Sequence, residues 1–212
     1  MRYTIERTGH SDYGTAIFDT PLITADLRPP FWYGWDRITN DIDNSSELPN
    51  SKNVKAHCSD WDFWKRSPSI QRIAENALKQ VEDLESSAKW QCEIADCWGI
   101  RYQKGDSTVK HSHFPHSFSF VHHVSGCDQC SPLMLYSQPD VSISKLMDFE
   151  FEKKEIPFSP GTLVIFPGWV VHEVTEHQCD HPRYAVAGNI SCKSEPSGKI
   201  INVDGYISGN NC

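Results

Sequence analysis

The sequence has no apolar run approaching the roughly 20 residues of a membrane-spanning helix. Its opening, MRYTIERTGHSDYG, also lacks the apolar stretch of a secretory signal. A cytoplasmic protein with no membrane partner is the expectation. A basic surplus is missing too: 20 Lys and Arg face 28 Asp and Glu, a formal charge of −8. Non-specific nucleic-acid affinity comes mostly from neutralising phosphates, so this balance argues against a general nucleic-acid binder. There is no internal repeat. What is present is 38% hydrophobic residues, with 7 Trp and 10 Phe, in a chain of 212. That composition excludes global disorder and describes a globular protein with an aromatic-rich interior, burying about 70% of its unfolded surface. With no secretory signal, the eight cysteines read as reduced thiols rather than a disulfide framework.

We expect a single domain over 1–212 in three stretches. Residues 20–66 carry Pro21, Pro29, Pro30 and Pro49 and the polar run TNDIDNSSELPNSKN, which predicts an irregular loop. Inside it, Phe31, Trp32, Tyr33 and Trp35 are read as cover for the core, with the lining of a groove as the alternative. Ser67-Pro68 opens a helix over 67–88: serine suits the N-cap and proline the first helical position. Ile70, Ile73, Ala74, Ala77, Leu78, Val81 and Leu84 then recur at helical spacing. Over 93–192 the pattern changes to short strands at 93–103, 118–124, 133–137, 162–167, 170–174 and 183–191, separated by glycine and proline. Strands of this number and spacing predict a β-sandwich or jelly-roll barrel. A last strand is expected near Lys199–Val203.

Six of the ten histidines fall between 111 and 172. His111 and His113, two apart, project from one face of an extended segment and can converge on one metal ion. His172, after the apolar GTLVIFPGWVV, is the third candidate, and three imidazoles with open positions suit a redox-active iron. Arg183 opens the strand RYAVAGNIS. A guanidinium aimed into a barrel interior is costly unless it meets an anion, and its planar fork matches a carboxylate. A metal and a carboxylate receptor in one pocket are what an oxygenase with an oxo-acid cosubstrate requires. His116 offers a competing ligand. Cys127-x-x-Cys130 with Cys179 and His181 has the ligand types of a zinc site, but the second pair is C-x-H, so plain thiols in a hairpin loop are read first.

The order Gly105-x5-His111-x-His113, SFVHHV (119–124), SPLMLYSQPD (131–140), GTLVIFPGWVVHEV (161–174), Arg183 and Asn189 resembles the iron(II)- and 2-oxoglutarate-dependent dioxygenases, in their small prolyl-4-hydroxylase-like branch. The resemblance covers about residues 95–192. It implies a mainly β fold with flanking helices, a double-stranded β-helix (jelly-roll, cupin-like). It implies iron ligands at His111, His113 and His172, with Arg183 on the distal carboxylate of 2-oxoglutarate and Asn189, His122 and Tyr136 reaching the cosubstrate. The implied activity is hydroxylation of a prolyl residue in a peptide or protein, releasing succinate and CO2, with ascorbate as reductant. Two departures stand out. The wider superfamily usually has a carboxylate where this chain has His113, and His122-His123 stand where related sequences have tyrosines. The same chemistry on a small molecule or a nucleobase, or a non-catalytic cupin-like metal-binding module, are the alternatives.

Overall fold

The computed structural model describes residues 3–8, 20–26, 34–48, 53–84, 90–136 and 153–194. Two antiparallel sheets face each other as a jelly roll. The larger has the order β1-β2-β10-β7-β12-β5-β4, built from β1 (Tyr3–Thr8), β2 (Thr20–Asp26), β10 (Thr162–Pro167), β7 (Phe118–Ser125), β12 (Arg183–Ser194), β5 (Trp90–Tyr102) and β4 (His57–Cys58). The smaller runs β3-β6-β11-β8-β9, from β3 (Val54–Lys55), β6 (Ser107–His111), β11 (Val171–Val174), β8 (Leu133–Tyr136) and β9 (Lys153–Ile156).

Side chains alternate across each strand, and so the larger sheet carries two cores. Its inner face, with Trp98, Ile100, Val121, Val164, Phe166, Ala185 and Ala187, packs against Leu133, Leu135, Ile156 and Val174 of the smaller sheet. Its outer face, with Phe120, Val124, Leu163, Ile165, Val186 and Ile190, is covered by Ile38 and Ile42 of helix α1 (Trp35–Asp43) and by Ile70, Ile73, Ala74, Ala77 and Val81 of α2 (Pro68–Glu82).

α2 begins where the sequence places it. The Ser67 hydroxyl accepts from the Ile70 amide, and Pro68 stands in the first turn. Asp41 of α1 adds an anion at the same end, accepting from the hydroxyls of Ser67 (2.7 Å) and Ser69 (2.6 Å). The helix closes at Glu82, short of the expected 88.

Two expectations are corrected. Residues 20–66 are not one irregular loop: they contain β2, α1, β3, β4 and a 3-10 turn at Phe63–Lys65. Of the prolines that suggested a loop, Pro21 stands near the start of β2, opposite Arg7, and β2 is stabilised by non-local pairing with β1 and β10. The cysteines are not all free either. Cys92 and Cys192 lie opposite each other in the β5–β12 ladder, Cα atoms 4.1 Å apart, and are joined in a disulfide. A partner 100 residues away could not be read from spacing. The expected strand near Lys199–Val203 lies outside the described residues.

Candidate metal and oxo-acid site

His172 sits on β11, the central strand of the smaller sheet, directly opposite His111 on β6. A β-bulge sets this up: the two steps along β11 from His172 to Val174 are matched by three along β6, from His111 back to Thr108. The extra residue turns His111 onto the inward face that Thr108 also occupies. The strand ends at His111, and His113 follows in a turn anchored by its amide to the Gly168 carbonyl (2.7 Å). Gly168 is a close approach, since a Cβ there would run into the His116 carbonyl.

The three rings meet. Centroids are 4.3 Å apart for His111 and His172, 4.8 Å for His111 and His113, and 5.1 Å for His113 and His172. One nitrogen from each lies within 4.8 Å of the others. His111 Nδ1–H donates to the Val109 carbonyl (2.7 Å), and His172 Nδ1–H to the Val170 carbonyl (3.0 Å). These bonds hold both rings in the tautomer that leaves Nε2 as a lone pair for a metal. Burial, then the neighbouring imidazoles, lowers His113 to about 4 and His172 well below its ordinary range. Burial lowers His111 as well. All are thus neutral at pH 7, the ligating form.

Behind His113 lies a buried network. Asn189 donates to the Asp96 carboxylate (2.7 Å) and accepts from Ser119 Oγ (2.7 Å), and its amide nitrogen is 3.4 Å from His113 Nδ1. Burial raises the Asp96 carboxyl, an effect that the Asn189 bond opposes.

Arg183 shares the inward face of β12 with Ala185 and Ala187, and one cavity is lined by Arg183, all three histidines, Tyr102 and Phe166. The centre of a water-sized sphere has about 40 Å³ there, against the ~10–15 Å³ that one water needs, so there is room for more than a single water. Arg183 is 0% exposed, and none of its guanidinium nitrogens meets a hydrogen-bond acceptor among the described residues. The rings of Tyr102 and Phe158 lie 4.9 and 5.0 Å from it, and the Tyr102 hydroxyl is engaged with Thr108 (2.7 Å). An orphaned buried cation calls for an anion, and an oxo-acid carboxylate fits. The donor set fits iron equally: neutral nitrogens converging from one side.

The other sequence candidates lie elsewhere. Asn189 stands behind His113, not on the cavity wall. His122 points to the outer core and stacks on Trp35, centroids 5.9 Å apart, so Trp35 is core cover as read; Phe31, Trp32 and Tyr33 lie outside the described residues. Tyr136 is on the outer face of β8, where its hydroxyl donates to Glu173 and Lys110 lies over its ring. His116 turns to Ser191 Oγ (3.0 Å), away from the three rings. Sequence reasoning did not place His123 among the site residues. It is 0% exposed, stacks on Phe158 at 4.6 Å and leaves Nε2 without a partner beside Arg183. Period-two alternation from inward Val121 was the signal that could have found it.

Residues 96–189 match the family model described as "Putative 2OG-Fe(II) oxygenase". No curated protein sequence matches the chain. Solved structures share the fold. A prolyl hydroxylase from Trichoplax adhaerens, in complex with a hypoxia inducible factor peptide fragment, aligns with TM-score 0.57 at 12% identity over 80% of this chain and 83% of its own. A Pseudomonas putida prolyl-4-hydroxylase aligns with TM-score 0.55 at 12% identity over 80% and 91%. HygX from Streptomyces hygroscopicus, with nickel, 2-oxoglutarate and hygromycin B bound, aligns with TM-score 0.61 at 10% identity over 81% and 83%. The matched stretch begins at Asp96 and ends at Asn189, two members of the network behind His113, and over that part the chain is similar to the 2OG-Fe(II) oxygenases.

Proposed function

We propose that this chain is an iron(II)- and 2-oxoglutarate-dependent dioxygenase that hydroxylates a C–H bond of a prolyl residue in a peptide or protein, releasing succinate and CO2. One observation carries the oxygenase reading: three neutral imidazoles and an unpaired buried guanidinium line the same cavity. His111, His113 and His172 would hold the iron and Arg183 the distal carboxylate of 2-oxoglutarate. When bound, iron and 2-oxoglutarate supply the oxidising power that breaks an unactivated C–H bond.

The chain's own residues do the rest. The Val109 and Val170 carbonyls keep two ligand rings oriented. Asn189, tied to Asp96 and Ser119, positions the third. Arg183 fixes the cosubstrate's far end and, with His123, forms the anion-receiving end of the barrel. The apolar walls, Phe166, Val121 and Leu133 among them, exclude water. Three imidazoles leave iron(II) one positive charge richer than two histidines and a carboxylate, which favours a dianionic oxo-acid.

The prolyl assignment is supported by the fold shared with prolyl hydroxylases and by two exposed aromatics beside the metal end. Phe114 (78% exposed) and Trp169 (37%) follow His113 and Gly168, which are joined by a backbone hydrogen bond. Aromatic faces of this kind stack on a prolyl ring. The acidic balance also disfavours nucleic acid. A second reading, the same chemistry on a small molecule, is supported by the equally extensive fold likeness to HygX with hygromycin B bound. We further propose one domain over 1–212 and a cytoplasmic location.

The test is succinate formation from labelled 2-oxoglutarate with iron(II) and ascorbate. Stimulation by proline-rich peptides supports the proposal, and stimulation by small molecules alone supports the second reading. No turnover with any of them overturns the enzymatic reading in favour of a metal-binding module.

A further inference from the structure

We propose that Cys127, Cys130, Cys179 and His181 form a structural zinc site that ties the β7–β8 loop to the β11–β12 loop. Two of these residues come from each loop, and the pairing of β7 with β12 and of β8 with β11 brings the two loops side by side. The three sulfurs all lie within 4.8 Å of one another. Cys127 Sγ is 3.7 Å from Cys130 Sγ and 3.2 Å from Cys179 Sγ, and Cys179 Sγ is 3.5 Å from His181 Nδ1. A tetrahedral zinc with Zn–S of about 2.3 Å and Zn–N of about 2.0 Å sets its ligand atoms ~3.5–3.8 Å apart. Two of these separations match that geometry, the Cys127–Cys179 pair needs a movement of about half an ångström, and the exposed His181, which is close to Cys179 but not to all three sulfurs, swings in to complete the set. The three thiols are not joined in a disulfide, whose S–S bond is about 2.05 Å, and pairing two of them would strand the third.

The backbone is arranged for thiolates. The Cys127 amide points at Cys130 Sγ (3.2 Å), and the His181 amide at Cys179 Sγ (3.3 Å). The loops are registered by bonds that need no metal. Ser131 Oγ donates to the Glu176 carbonyl (3.1 Å), and the His177 imidazole bridges the Ser131 amide and the His181 carbonyl (2.8 Å). His177 is therefore spent on holding the loops and is not a ligand. Gly126 lets the chain pass close enough, since a Cβ there would meet the Phe158 ring at 2.7 Å and Cys130 Sγ at 2.9 Å.

The ligand chemistry selects the ion. Soft thiolates favour zinc, whereas the imidazole-only cluster suits iron, so the chain can sort the two metals by donor type. Four protein ligands close the coordination sphere, which marks the site as structural. Cys130 is buried, Cys127 and Cys179 are half-buried and His181 is exposed, so the metal has a path from solvent. Binding releases the thiol protons and leaves Zn²⁺ with three thiolates and a neutral imidazole, a net charge of −1. The functional return is rigidity at a sensitive place: His181 is two residues before Arg183, and Phe158, against which this loop packs, is 5.0 Å from that guanidinium.

The test uses full-length protein purified with reductant. The His111→Ala/His172→Ala variant, which lacks the imidazole cluster, keeps any zinc count from being confused with that site. We expect one zinc per chain surviving dialysis, an X-ray absorption shell of three sulfurs at about 2.3 Å and one nitrogen, and thiolate-to-metal charge-transfer bands on cobalt substitution. Cys179→Ser should weaken retention by ~100-fold or more. Because that variant can misfold, the spectra of protein with all four residues intact decide independently. A nitrogen- and oxygen-only shell, no retained zinc, zinc content unchanged by Cys179→Ser, or a Cys127–Cys179 disulfide in freshly isolated protein would each overturn the proposal.

Discussion

His111 and His172 face each other across the β6–β11 pair with ring centroids 4.3 Å apart, and a bulge brings them to the same side of the sheet. His172 is the buried member and anchors the cluster from a central strand. His172→Ala should lower iron(II) affinity by more than about 100-fold, beyond the usual cost of losing a ligand's hydrogen-bond partner. Titration calorimetry of the anaerobic protein measures this. Unchanged iron affinity would remove His172 from the ligand set.

Arg183 has opposite effects on stability and on binding. Without an anion it is a buried charge lacking a partner, so Arg183→Met should leave the protein without oxo-acid as stable as wild type or more so. The same change should weaken 2-oxoglutarate by at least ~30-fold, corresponding to about 2 kcal/mol or more for a buried charged contact, while iron still binds. Thermal melts with and without 2-oxoglutarate check both halves. A variant that 2-oxoglutarate stabilises as strongly as wild type would end the assignment.

Adjacent histidines on β7 should behave differently. His123 faces Arg183 and Phe158, and His122 faces Trp35 and the helices. His123→Ala should weaken 2-oxoglutarate by about 10-fold, the scale of one charge-assisted hydrogen bond. His122→Ala should cost stability and leave that affinity within about 2-fold, inside the range of a net contact change. Equal effects on 2-oxoglutarate would contradict the facing of β7.

Asn189 separates positioning from contact. Asn189→Ala should reduce iron affinity by 10- to 100-fold through the loss of His113's orientation, whereas a direct cosubstrate contact would instead raise the KM for 2-oxoglutarate at saturating iron. Comparing iron affinity with that KM distinguishes the two roles.

Cys58 gives a pH dependence. Burial, then Asp60 and Glu47, pushes its thiol from 9.0 up to about 12. A raised folded value means the contribution to stability is complete below about pH 9 and is lost as pH rises toward 12, because only the unfolded chain ionises there. The stability gap between wild type and Cys58→Ala should therefore narrow by up to ~1.4 kcal/mol per pH unit above about pH 9. Urea unfolding of both proteins at about pH 9.5 and 10.5 reads the gap. Parallel curves would mean that the thiol ionises in the folded state.

Much of this molecule is legible locally. The Ser67-Pro68 helix start, the strand runs from Glu93 onward and the inward set Arg183, Ala185 and Ala187 follow from caps, turn residues and periods of two and 3.6, each a property of neighbouring side chains. So does the candidacy of His111, His113, His172 and Arg183, since costly polar groups in apolar strands advertise a purpose. What neighbours along the chain cannot encode is the result of pairing at a distance. The bulge that turns His111 inward, the strand order that gives β2 its place, the Cys92–Cys192 bond and the meeting of Cys127 with Cys179 all depend on register between segments far apart in sequence. A one-residue change in that register moves every side chain to the opposite face, and this is why only the tertiary structure could place His123 beside the guanidinium and Tyr136 outside.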